Sequence, residues 1–267
     1  MSWWKRIWGT ESAAQPLPAE PPSPEAAPLI QAPAPGPGPQ VPHGIQPVPA
    51  LLLPQPFQKF RTILVFGAPG SGKGTQGKVL GTIPRFHHMA CGDVFRSLDT
   101  RTPLGQEFVA YSSRGQLVPN ETTVKLWHAN IHDRVKTRLF KPDIDVLVLD
   151  GIPRNVEQAQ LMESDISVLQ VFHLSCPNRE ELARRLRKRA LKENRFDDAN
   201  DEVIAKRIRL YEEESKPILE YYSTGAYADR SMVTDIDASQ SPVKVIFAIL
   251  SRIMELDAWQ QAQAPKL

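Results

Sequence analysis

The stretch RTILVFGAPGSGKGTQ, residues 61–76, constrains the fold more tightly than any other part of this sequence. Its β-branched and aromatic residues suit a buried strand, and they run straight into four glycines within the eight residues from Gly67 to Gly74. Without Cβ atoms in the way, backbone N–H groups of such a turn converge on a phosphate, and the start of the following helix adds positive potential. Lys73 supplies a mobile point charge for β and γ phosphates. The spacing GxxxxGK is that of a P-loop, but the next residue is Gly74 and the hydroxyl comes one position later, at Thr75. A dinucleotide-binding fold gives Lys73 no role, and no acidic residue ends a second strand at the offset that fold requires. No NKxD element follows a later strand, which argues against a guanine-nucleotide switch. The loop alone does not name a reaction, because switches, motors and small-molecule kinases share it.

Beyond the loop, apolar β-rich runs alternate with longer amphipathic segments. Strands are predicted at Thr62–Phe66, Asp145–Leu149, Val168–Leu174 and Met232–Ile236. Several are apolar on consecutive positions, as parallel strands covered on both faces require. Helices are predicted at about Gly72–Val79, Gly92–Leu98, Glu121–Val135 behind Asn120 as cap, Arg179–Leu191, Asp201–Tyr222 with an interruption near Pro217, and Val243–Leu256. Alternation of this kind implies an α/β fold with a central parallel sheet, helices on both faces and right-handed crossovers.

The prolines divide the chain. Of 25, 15 fall in residues 1–59. That stretch reads as a disordered, extended tether with too few apolar side chains for a core, and residues 60–267 as one globular domain. Overlapping PxxP patterns such as Pro18–Pro21 are expected by chance in so proline-rich a run. Ahead of the tether, SWWKRIW spaces Trp3 with Ile7 and Trp4 with Trp8 at i, i+4 around Lys5 and Arg6. Residues 1–8 thus offer peripheral contact with a membrane interface or a protein partner; the alternative is a segment too short to hold a helix, which frays or packs on its own domain. A net charge of +2 excludes a global nucleic-acid footprint. Two distant cysteines, Cys91 and Cys176, fit a reducing compartment and no zinc site. No apolar run approaches the ~18 residues of a membrane span, so a cytoplasmic protein is expected.

At this point the sequence resembles the nucleoside monophosphate kinases, and among them the adenylate kinases. GAPGSGKGTQ is nearly that family's own loop, including the Gly74–Thr75 order. ACGDVFRSL (90–98) and LVLDGIPRNVEQAQ (147–160) agree with it, as do GQLVPNE (115–121), RFDD (195–198), AKRI (205–208) and DIDAS (235–239). The resemblance covers about Thr62–Leu256 in collinear order. It implies a P-loop NTPase three-layer α/β/α fold with a small helical segment for the acceptor monophosphate, about 90–118, and a short lid, about 189–195, lacking the zinc-binding insertion of some relatives. It implies ATP and AMP as substrates, Mg²⁺ as cofactor and a monomer.

Residue by residue, the resemblance assigns ATP to Gly70, Ser71, Gly72, Lys73, Gly74, Thr75, Arg185, Arg189 and Gln240. It assigns AMP to Cys91, Arg96, Gln116, Leu117, Val118, Gly151, Arg154, Gln158, Arg195 and Arg207. Lys73, Asp150, Arg154, Arg189, Arg195 and Arg207 form the catalytic set, with Asp150 and Asp93 holding waters of a nucleotide-bound Mg²⁺ rather than the ion itself. The chemistry fits. A loose, charge-dispersed transition state is stabilised by positioned cations, and the guanidinium fork suits a phosphate's oxygens. Arg184, Arg187 and Lys188 suit a solvated basic face instead. One residue more than the family spacing separates Asp198 from Arg207. Gln158 occupies the family's adenine-reading place, and a carboxamide pairs both a donor and an acceptor. Cys91 and Asn155 lean toward the uridylate/cytidylate kinases, which remain the alternative, together with a tethered nucleotide-binding module that has lost catalysis.

Overall fold

The structure, a computed structural model, describes residues 59–193, 200–224, 227 and 232–256. The expected tether, the Trp-rich segment, Arg195 and its Asp197–Asp198 pair lie outside the described residues. The sheet and helices belong to the unit spanning residues 54–267.

Five strands form one parallel sheet: β1 Phe60–Gly67, β2 Phe86–Ala90, β3 Val146–Asp150, β4 Ile166–Ser175 and β5 Val233–Asp237. Their order is β2-β3-β1-β4-β5, so the strand that feeds the phosphate loop is central and buried on both faces. Side-chain alternation splits the core in two. Leu64, Leu147 and Leu149 pack on one face with Trp127 and Ile131, while Ile63, Val65 and Val148 pack on the other with Leu186 and Ile249. A register shift opposite Thr62 and Ile63 inserts one residue into β4. It explains why Ile166 and Val168 share a face with Val171, an odd number of positions along.

The helices are α1 Lys73–Leu80, α2 Cys91–Arg96, α3 Pro103–Ser112, α4 Asn120–Lys136, α5 Val156–Leu161, α6 Arg179–Glu193, α7 Asp201–Leu210, α8 Ile218–Tyr221 and α9 Pro242–Glu255. With α4, α5 and α8 on one face and α1, α6, α7 and α9 on the other, the three-layer α/β/α expectation holds.

Four predicted strands lie within a few residues of those observed. Three elements escaped prediction. β2 is an edge strand whose FHHMA sequence gives no apolar run, and α5 spans six residues. α3 starts at Pro103 behind Thr102, whose hydroxyl accepts from Gly105 N at 3.1 Å. The predicted cap Asn120 is corrected: it is the first residue of α4, behind Pro119, and makes no capping bond. Near Pro217 the chain stays helical through a π-turn, Tyr211–Ser215, in which Lys216 N donates to Tyr211 O at 2.8 Å. Widening the turn accommodates a proline that lacks an N–H and would clash with a regular preceding turn.

Candidate active site

β1 ends at Gly67 with φ 146°. A Cβ there would lie 2.6 Å from Leu174 O, so β4 backs directly against the loop and admits no side chain. From α1 the Lys73 ammonium reaches back over the loop and donates to Gly67 O at 2.7 Å and Ala68 O at 3.0 Å. Gly70, Ser71 and Gly72 form the turn between, and Ser71 Oγ is buried without a hydrogen-bond partner. Thr75, one position past Gly74, is exposed.

Asp150, at the carboxyl end of β3, is 9% exposed. A Cβ on Gly74 would sit 3.4 Å from Asp150 Oδ2. A side chain at position 74 would therefore touch the carboxylate of β3, and Gly74 leaves that approach bare.

The fold gathers the predicted cations around this point. Burial chiefly, and then the guanidiniums of Arg189, Arg154 and Arg207, push the Lys73 ammonium down to about 8, with Asp150 opposing. Those residues come from α6, the turn after β3, α7 and the end of β3. Arg207 enters although its spacing departs from the family's: its Cγ packs where a Cβ on Gly115 would lie 3.2 Å away. The cation on α7 therefore also abuts the turn leading to Gln116, Leu117 and Val118, which pass from exposed through half-buried to buried.

On the acceptor side Cys91 is 3% exposed, and burial pushes its thiol up to about 11, with Arg154 and Arg96 pulling down and Asp150 pushing up. Arg96 pairs with Asp93 at 2.6 Å, and Arg154 Nε donates to Gly151 O at 2.9 Å. Arg96, Arg154 and Asp150 thus all lie near enough to the Cys91 thiol to act on it.

Gln158 is 1% exposed, and both ends of its amide are used inside the protein. Oε1 accepts from Arg154 N at 2.8 Å, and Nε2 donates to Asn120 Oδ1 at 2.8 Å. Asn120 Oδ1 also accepts from Asn155 Nδ2 at 3.0 Å. Asn120 thus ties α4 to the turn carrying Arg154, a role that sequence reading missed because the residue looked like a cap. His88 was missed too: it lies on β2, with its Nε2 buried and without a hydrogen-bond partner, beside Asp150 and Asp93 and against Gly77 and Gly81.

Arg185 lies on α6, and Gln240 lies just beyond the carboxyl end of β5. Arg185 donates to Glu181 Oε1 at 2.7 Å and Ala238 O at 2.8 Å, and Gln240 Nε2 donates to Asp237 Oδ2 at 2.9 Å. A depression of about 640 Å³ beside them is lined by Glu181, Asp235, Asp237 and Asn178. Its acidic walls repel a phosphate, whereas the cation cluster at Lys73 attracts one.

Sheet order and phosphate loop define a P-loop α/β protein, with Arg154, Arg189 and Arg207 gathered near the loop lysine. Residues 65–227 match the family model described as Adenylate kinase. The chain is 35% identical over 200 residues to an adenylate kinase of a Cyanothece species, covering 72% of this chain and 94% of that protein. It is 34% identical over 195 residues to adenylate kinase 1 of Schistosoma mansoni, covering 69% and 88%. With an adenylate kinase of Bacteroides fragilis it shares 38% over 168 residues, covering 60% and 83%. The chain belongs to the adenylate kinase family.

Proposed function

We propose that this adenylate kinase catalyses reversible in-line transfer of the γ-phosphoryl group of Mg²⁺-bound ATP to AMP, giving two ADP, with the residues that meet at Lys73. The supporting observation is the convergence of Arg154, Arg189 and Arg207 with Asp150 around one ammonium. Half-buried cations gathered at a phosphate loop match the dispersed negative charge of a phosphoryl group in flight between two nucleotides. Lys73 and the loop N–H groups hold the donor phosphates. Arg96 and Arg154 orient the acceptor phosphate and Arg189 contacts ATP, while Arg195 and Arg207 span the transferred group.

The donor set suits Mg²⁺. Asp150 and Asp93 are carboxylates at the edge of the phosphate region, and this hard ion takes oxygen ligands and keeps several waters. When bound, it offsets charge on the β- and γ-oxygens. Residues 90–118 serve as the acceptor-binding segment and about 189–195 as a short lid, whose closure excludes water that would hydrolyse ATP. The sequence of residues 1–59 suits a tether for this enzyme in the cytoplasm, and that of residues 1–8 suits a peripheral membrane or protein contact.

A coupled assay offering AMP, UMP, CMP and GMP as acceptors tests this reading. AMP is expected to be used at least about tenfold more efficiently than the others, a ratio that one base-edge contact readily supplies. Preference for a pyrimidine nucleotide, or nucleotide binding without ADP formation, would overturn it.

A further inference from the structure

Three metal-ligating side chains meet at the opposite end of the sheet. His128 and His132 are one helical turn apart on α4, with their Nε2 atoms 3.0 Å from each other. His128 Nε2 lies 3.4 Å from Asp165 Oδ1, and the three ligand atoms all fall within 4.8 Å of one another. Asp165 immediately precedes β4, and its backbone carbonyl accepts from Phe60 N at 2.8 Å, where β1 begins. The phosphate loop leaves the other end of β1, seven residues on, or about 23 Å at the rise of an extended strand. The cluster is therefore separate from the region where a nucleotide carries its own cation.

The geometry points to a site for a zinc-class divalent cation formed by His128, His132 and Asp165. Around a tetrahedral ion with bonds near 2.0–2.1 Å, ligand atoms stand about 3.3 Å apart. The observed 3.0 and 3.4 Å separations reach that arrangement with small side-chain rotations. Two imidazoles and one carboxylate favour Zn²⁺, Co²⁺ or Ni²⁺ over the all-oxygen sites of Mg²⁺ and Ca²⁺.

The ligands are held from behind. Asp165 Oδ2 accepts from the Ser164 hydroxyl at 3.3 Å, leaving Oδ1 toward the histidines, and the Asp165 N–H donates to Met162 O at 3.0 Å. His132 packs edge-on against Phe60 at 6.1 Å between ring centroids. Outer partners of this kind fix ligand orientation. The His128 side chain is 48% exposed, so an ion enters from solvent and keeps water in its remaining position. Bound there, it pins α4 to the starts of β1 and β4.

The test uses the full chain without a histidine tag, stripped with a chelator. Equilibrium dialysis with Zn²⁺ is expected to give one equivalent bound, Co²⁺ to give the visible absorption of a low-coordinate imidazole complex, and Zn²⁺ but not Mg²⁺ to raise the thermal midpoint. His128→Gln, at a half-exposed position, is expected to weaken Zn²⁺ binding about tenfold or more, the scale on which site ligands and their supports act. ADP formation from ATP and AMP should be unchanged in that variant. Zn²⁺ binding equal in wild type and His128→Gln/His132→Gln overturns the proposal. So does a wild-type Co²⁺ spectrum that matches aqueous cobalt, a readout independent of any variant's folding.

Discussion

The Lys73 ammonium is bound to the carbonyl of Gly67, the first glycine of its own loop, at 2.7 Å. The cation proposed to bind phosphate is therefore held in place by backbone oxygens at the end of β1. A phosphate entering the loop exchanges neutral carbonyl acceptors for a charged one, and charge-assisted bonds are roughly twice as strong.

Lys73→Met should leave the fold intact by circular dichroism and reduce kcat by about 10²-fold or more, the scale on which single transition-state donors act. A variant turning over within threefold of wild type would remove Lys73 from the catalytic set.

The same lysine sets a pH dependence of stability. Its folded-state value of about 8 lies below the ordinary 10.5, so between those values the unfolded chain binds more protons than the folded one. Stability must rise with pH across that window, and below about 8 the cost of the buried charge is fully present. Urea midpoints of the unliganded protein at pH 7 and pH 10 are expected to differ more favourably toward high pH in wild type than in Lys73→Met. Equal pH responses would contradict the assignment.

Arg154 tests fork against point charge. Arg154→Lys should restore little of the activity lost in Arg154→Ala, because one ammonium replaces neither the bidentate phosphate contact nor the Nε bond to Gly151 O at 2.9 Å. Near-complete rescue by lysine, measured as kcat/KM for AMP, would mean that only charge matters there.

Gly77 and Gly81 flank His88, and they fail differently. A Cβ on Gly77 would meet the His88 ring at 2.3 Å, whereas one on Gly81 would meet His88 Cβ at 2.7 Å. Each alanine substitution should cost about 1–3 kcal/mol, as overpacking does. Adding His88→Ala should relieve Gly77→Ala but not Gly81→Ala, since the histidine Cβ remains. Thermal midpoints of the four variants decide it.

Asn120→Ala leaves Gln158 Nε2 without its 2.8 Å acceptor inside the protein. An unsatisfied buried amide costs about 1–3 kcal/mol, and the freed amide is expected to change KM for AMP more than KM for ATP. Unchanged stability together with unchanged KM values would show that the Asn120–Gln158 bond matters to neither.

By itself the sequence determined the parts that are local. Strand, glycine turn and helix are contiguous between Thr62 and Leu80, so their chemistry is readable along the chain. The consecutive apolar positions of Val146–Leu149 announce a strand covered on both faces. Edge strand β2 left no such trace, because His87 and His88 interrupt the apolar positions of FHHMA. The sequence resemblance already grouped Arg154, Arg189 and Arg207 with Lys73, whereas only the tertiary structure brought Asn120 onto Gln158 and Asp165 beside His128. Those meetings depend on how helices cross a twisted sheet, a property of packing that no spacing along the chain encodes.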